Sequence, residues 1–173
     1  RTRTFQEHGS TRNIGELFIS RAERAISVQN TFVDISDPLS NDSQGDVGRA
    51  YDAWLNNSSE KKWTDIIGVK EFFSGRYNRP VESRNFKGTN NVFVLRHSIP
   101  IINFIIFEYE DRNFEVFFGW LPGDEDERSE IFSTTDRMII SMYQSYFDSL
   151  KKHSWNFYFN HDLDRGYVVD YSS

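Results

Sequence analysis

The sequence predicts a single mixed α/β domain, one sheet of about five to seven strands with helices packed on it. Three observations carry that prediction. Between Asn91 and Trp120 lie three runs rich in β-branched and aromatic residues, separated by turn-forming residues. Between Thr134 and Lys152 the apolar residues Ile139, Met142, Tyr143, Tyr146, Phe147 and Leu150 recur at three and four, the period of an amphipathic helix. Sixteen Phe, eight Tyr and four Trp in 173 residues supply an aromatic core that needs neither disulfide nor metal.

Taken in order, residues 1–12 read as a linker or tail, 13–159 as the domain, and 160–173 as a tail or an edge strand. Ile14, Leu17, Phe18, Ala22 and Ala25 fall at helical spacing, so 13–25 reads as a first helix. Residues 26–35 are β-branched and partly alternating, a strand, and 36–45 are a turn-rich loop. Val47, Ala50, Tyr51, Trp54 and Leu55 share one helical face, with Asp46 as the cap. The spacing of Trp63, Ile66, Ile67, Lys70 and Phe73 predicts a further helix from Ser58 or Ser59, in which Gly68 costs about 1 kcal/mol relative to Ala. Strands follow at 92–97, 101–109 and 113–120, the second apolar at nearly every position, as in a strand covered on both faces. The turn at 110–113 lacks the glycine of the commonest hairpins. An acidic loop, 121–130, leads to a short strand at Ile131 and Phe132. Ser133 or Thr135 is positioned to cap the long helix, with Asp136 in its first turn and Lys151, Lys152 and His153 at its negative end. Residues 155–159 alternate as a last strand.

Composition narrows the function classes. With no cysteine, disulfides, thiolate nucleophiles and Cys-based zinc sites are excluded, which fits a cytoplasmic setting. The net charge of −6 argues against a nucleic-acid partner, leaving a small molecule, a protein or a second copy of the chain. No apolar run approaches the roughly 18 residues of a membrane span. The chain opens at Arg1 with three arginines in its first twelve residues, which reads as a piece of a longer protein. The basic opening suits an interdomain linker, or the cytoplasmic flank of a membrane helix preceding Arg1.

Four residues stand out as candidate ligand contacts. Arg96 and His97 close a strand just before Pro100 and offer a cationic pair for an anionic group such as phosphate. Asn103 is the only polar side chain in its apolar run, and a buried amide must be hydrogen-bonded. Trp120 ends a strand beside a glycine-containing loop, a position suited to stacking on a ligand. Glu108 and Glu115, on paired strands, would either form a carboxylate pair for acid/base work or face Arg or Lys. The acidic run Asp124–Glu127 reads as a solvated loop rather than a cation site. Asn160, Asp162 and Asp164 imitate a calcium loop, but Gly166 comes one position late and no Glu follows. No Gly-x-Ser-x-Gly and no His-x3-His spacing occurs, so no catalytic residue, metal site or cofactor is assigned.

The order of a histidine at a strand end, an apolar strand, a turn, a strand ending in glycine, a short β segment and an amphipathic helix resembles one half of the phospholipase D-like superfamily, over about residues 91–150. The resemblance puts His97 in the place of that family's histidine. Gly119, Trp120, Leu121 and Pro122 stand in place of its Gly-Ser-x-Asn segment. The family's lysine place holds Ile99 and its aspartate place Phe104, while Trp120 replaces the serine and Pro122 the asparagine. The family's chemistry uses two histidines, each with a lysine holding phosphate charge, so the resemblance implies a member that kept the fold and lost the reaction. The expectation is a non-enzymatic sensing or interaction domain of a larger, bacterial-type protein, binding a small phosphorylated ligand or a partner domain. Two alternatives stand beside it: a phosphodiesterase or nuclease to which two chains each contribute His97, and a structural domain that oligomerises through aromatic surface.

Overall fold

The computed structural model describes residues 5–10, 15–32, 50, 54, 61–68, 89–97, 103–120, 130–160 and 165–169. In chain order the elements are β1 (Gln6–Ser10), α1 (Gly15–Arg24), β2 (Ala25–Phe32), β3 (Lys62–Ile67), β4 (Thr89–Leu95), β5 (Asn103–Tyr109), β6 (Phe114–Trp120), β7 (Glu130–Thr134), α2 (Arg137–Lys152), β8 (Ser154–Asn160) and β9 (Arg165–Val169). All nine strands form one mixed sheet, ordered β1-β7-β6-β5-β2-β3-β4-β8-β9. Its centre, β2-β3-β4, is parallel. An antiparallel run β5-β6-β7-β1 extends one side, and β8-β9 extends the other.

Alternation along each strand sorts the side chains into two cores. On one face Val28, Trp63, Ile105, Phe107 and Phe117 meet Phe18 and Ala22 of α1, together with Ala50 and Trp54. Trp54 and Trp63 meet edge to face at 5.4 Å, a geometry their ring quadrupoles favour. On the other face Ile66, Leu95, Phe104, Ile106 and Val116 meet Ile139, Ile140, Phe147 and Leu150 of α2. Each fully buried side chain of this size contributes about 1.5–3 kcal/mol. The sheet is thus clamped between apolar stripes whose periods were visible in the sequence.

Several expectations change. The sheet has nine strands, not five to seven, because Gln6–Ser10, read as linker, and Lys62–Ile67, read as helix, are both strands. β1 lies within residues 1–12, which read as linker, and pairs Gln6 with Ser133 and Glu7 with Phe132. Lys62–Ile67, read as part of a helix, is the central strand β3. Its residues from Trp63 to Ile67 are all buried, so the run shows no period of two and its spacing imitates a helix. The long helix begins at Arg137 and is capped by Asp136, whose carboxylate accepts from the backbone N–H groups of Met138 and Ile139, rather than by Ser133 or Thr135. Thr134 serves the strand side of this junction, its hydroxyl accepting from Asp136 N–H at 3.1 Å. Of the helix expected over 46–56, only Ala50 and Trp54 are described, and both are helical. The acidic run Asp124–Glu127 and the residues Asp162 and Asp164 lie outside the described residues.

Two backbone positions shape the strands around the site. In the β5–β6 hairpin Arg112 takes φ +60° where a glycine would be usual. The Asp111 carboxylate compensates by accepting from both the backbone and side-chain amides of Asn113, at 3.0 and 2.7 Å. Near the end of β6, Gly119 has φ +110°, and a Cβ there would lie 2.5 Å from the Glu130 carbonyl oxygen. Only glycine lets β7 come so close.

Candidate functional site at the carboxyl edge of the parallel strands

Strands β2, β3 and β4 end at one edge of the sheet, at Phe32, Ile67 and Leu95. The chain then crosses to the other side of β2, so the strand order reverses between β5 and β3, where open α/β sheets hold ligands. Because β5 runs antiparallel to β2, its first residue, Asn103, lies at this same edge, and Trp120 at the end of β6 is its register partner. Arg96 and His97 follow β4 directly. All four candidate contacts therefore share one edge, but not one point. Three strand spacings separate β5 from β4, about 14 Å at 4.8 Å each.

The β5 side of the edge is a buried polar row. Asn103, Asn30 and Asp65 sit on adjacent strands β5, β2 and β3, all fully buried and on the α1 face. The Asn30 amide donates to Asp65 Oδ1 at 2.7 Å, while Asn30 Oδ1 has no hydrogen-bond partner among the described residues. Beside it, Thr31 replaces the ladder between β2 and β5: its hydroxyl accepts from Phe104 N–H at 2.9 Å and donates to Phe104 O at 3.1 Å. The two strands part here under side-chain control, leaving polar groups under the edge. Asn30 and Asp65 were missed in the sequence. Asp65 falls in the run read as helix, and Asn30 is one polar residue of an alternating strand.

The β4 side is basic. The N–H of Arg96 donates to the carbonyl of His153 at 3.2 Å, joining the end of β4 to the end of α2. That contact sets the end of β4, with Arg96 and His97, beside the end of α2, with Lys151, Lys152 and His153. His97, Lys152 and His153 are exposed, and Arg96 and Lys151 are half-buried. The Lys151 ammonium lies over the Phe93 ring, 4.8 Å from its centroid, a cation–π contact that holds the side chain against β4. In the sequence the three α2 residues signalled only a favourable helix end, and nothing local announced that β4 would deliver two more cations beside them.

Of the two readings of Glu108 and Glu115, the carboxylate pair does not form, whereas Glu115 does face an arginine, Arg21. Glu115 is opposite Phe107, and Glu108 is opposite Phe114, so the two carboxylates point to opposite faces of the sheet. Glu115 is instead the hub of a buried network on the α1 face. It accepts from Arg21 Nε at 2.8 Å, Tyr109 Oη at 3.0 Å and Ser133 Oγ at 3.2 Å. His8 Nε2 lies 2.9 Å from Ser133 Oγ. Since the serine's single proton goes to the carboxylate, His8 is the donor in that contact. Burial, then the Glu115 charge, holds the Tyr109 hydroxyl well above its ordinary pKa. A tyrosine kept protonated donates to the carboxylate throughout the ordinary pH range, which is a structural role. Among the described residues no three His, Cys, Asp or Glu side chains converge on a point that would hold a metal, and no helix is long and apolar enough to cross a membrane.

The fold of this mixed α/β sheet recurs in solved structures. The chain is similar to TrmBL2, an archaeal chromatin protein whose structure shows a novel mode of DNA binding, at TM-score 0.56 and 12% identity over 87% of this chain and 52% of that one. The chain thus spans about half the length of TrmBL2. It is also similar to NucT from Helicobacter pylori, at TM-score 0.53 and 14% identity over 88% of this chain and 97% of that one. No family model matches the chain, and no curated protein matches it in sequence. At these identities the likeness is one of fold.

The comparison corrects one expectation. Net acidity was read as arguing against a nucleic-acid partner, but a chain of this fold occurs in a DNA-binding protein. The physical flaw lies in summing charge over the whole chain. Beyond a Debye length of about 8–10 Å charges are screened, so a ligand responds to the local cluster rather than to the total of −6.

Proposed function

We propose that this chain is a non-enzymatic interaction domain of phospholipase D-like ancestry that binds a phosphate-bearing ligand, nucleic acid above all. One observation carries the reading: the backbone hydrogen bond from Arg96 to His153 brings the end of β4, with Arg96 and His97, beside the basic end of α2, with Lys151, Lys152 and His153. Helix-end stability accounts for Lys151, Lys152 and His153, but it does not call for Arg96 and His97 on the neighbouring strand. Cations placed this way neutralise backbone phosphates without reading bases. The likeness to TrmBL2, a protein that binds DNA, supports nucleic acid as the ligand class. A chain without cysteine suits the reducing cytoplasm.

The absence of catalysis follows from the residues in the resembled family's places. Phe104, in the aspartate place, is fully buried in the α2-face core, where it packs on Tyr143 and Phe147. Nothing there can orient or charge a nucleophile.

The test is fluorescence anisotropy with labelled double- and single-stranded DNA at several salt concentrations. Three permanent cations predict a slope of log K against log salt of about −2.7, and Lys152→Ala should reduce its magnitude by about 0.9. Binding that ignores salt, or no binding to DNA or RNA at low salt, overturns the reading. A phosphodiesterase remains the second reading, because His153 brings a second histidine to the corner of His97. Hydrolysis of a generic phosphodiester that is unaffected by His97→Ala and His153→Ala would dispose of it.

A further inference from the structure

Only one face of α2 is used by the fold. Its inner face seats Ile139, Ile140, Phe147 and Leu150 on the sheet. Its outer face carries Met138, Met142 and Tyr146, exposed at 61%, 60% and 41% and spaced four apart, so they form one stripe. From Met138 to Phe147 the helix has no charged residue at all, although a helix facing water ordinarily keeps its charges on that side. The charges return only at the two ends. Arg137 and Asp148 are both exposed. They are eleven residues apart (148 − 137), which at about 100° per residue is three turns and about 20°. They therefore flank the stripe on the same side.

We infer that the outer face of α2 joins two copies of this chain, packed antiparallel about a two-fold axis near Met142. A two-fold contact requires a patch complementary to itself. In an antiparallel pair, residues on the same flank meet across the axis, so Arg137 of each copy faces Asp148 of the other, and the uncharged stripes lie between. A parallel pair would instead set like charges level with each other. The exposed serines at 141, 145 and 149 run beside the stripe and let the second helix come close. A helix of 16 residues is about 24 Å long, and such a pair buries less than the roughly 1,200 Å² of a standard interface. The dimer is therefore a weak one, with a dissociation constant in about the micromolar range.

Sedimentation equilibrium of the intact chain over about 1–300 µM brackets that range. The wild type should show a monomer–dimer equilibrium, and Met142→Glu should raise its dissociation constant at least about tenfold. The decisive variants are Arg137→Glu and Asp148→Arg. Each places its new charge where the helix dipole favours it, so neither should unfold α2. Each alone should be monomeric, and an equimolar mixture of the two should dimerise, because both cross-pairs are then of opposite sign. A wild type that stays monomeric, or a dimer indifferent to both charge swaps, overturns the inference.

Discussion

Glu115 shows how one residue can look catalytic and be structural. Its carboxylate is buried, but Arg21, Tyr109 and Ser133 satisfy it, and none of the three leaves it poised to take a proton from a substrate. Replacing it with Ala strands three donors at once. With Arg21 side chain 23% exposed, part of that loss is recovered from water, so we expect a destabilisation of about 2–4 kcal/mol in urea unfolding, well above the cost at an exposed strand position. His8, at the end of this network, predicts a pH dependence. Burial lowers its pKa below 6.5, the nearby Glu115 charge raises it and Arg21 lowers it, with burial the largest effect. The unfolded chain therefore binds the proton more readily than the folded one. Stability should be constant above the unfolded value of about 6.5 and fall as pH drops from there through the depressed folded value. His8→Gln should flatten that fall in a urea series across pH, and an unchanged fall would show that another group is responsible.

At the scale of elements, α2 and the β6–β7 junction owe their positions to single residues. Asp136 satisfies two orphan N–H groups at the start of α2. Asp136→Ala should cost about 1 kcal/mol, read as a lower urea midpoint with an unchanged slope. Gly119→Ala should cost more than that, because it combines a positive φ with a Cβ 2.5 Å from a carbonyl that belongs to the backbone and cannot swing away. The contrast between β3 and α2 explains why some elements were legible and others were not. In α2 the buried Ile139, Ile140, Phe147 and Leu150 share one face while Ser141, Ser145 and Ser149 are exposed on the other, so the period shows. In β3 both faces are buried, every residue is selected for burial, and the period vanishes. The residues that identify β3 as a strand are its β-branched Thr64, Ile66 and Ile67, a weaker signal than spacing.

For the molecule as a whole, the edges matter as much as the centre. β1 covers the backbone groups of β7 that would otherwise be open to pairing with other chains. Removing residues 1–10 also removes His8, whose ring lies 5.2 Å from that of Phe117. We expect that truncation to lower Tm by several degrees and to bring concentration-dependent light scattering, whereas a removable linker would leave both unchanged. The sheet also decides how the candidate site is divided. It carries Asn103 and Trp120 to one end of the carboxyl edge and Arg96 and His97 to the other, with three strand spacings between them.

Read alone, the sequence determined the class of fold, the first and last helices and most of the strands, and it singled out four candidate contacts. Each of those rests on local periodicity or on an odd residue within a run, and such signals survive without a neighbour. Tertiary structure alone decided the strand order, the burial of Asn30 beside Asp65, the turning apart of Glu108 and Glu115, and the meeting of Arg96 and His97 with Lys151, Lys152 and His153. Those are relations between segments far apart in the chain. Whether two charges separated by more than fifty residues share a corner depends on which strands pair, and strand pairing is set by the packing of the whole sheet.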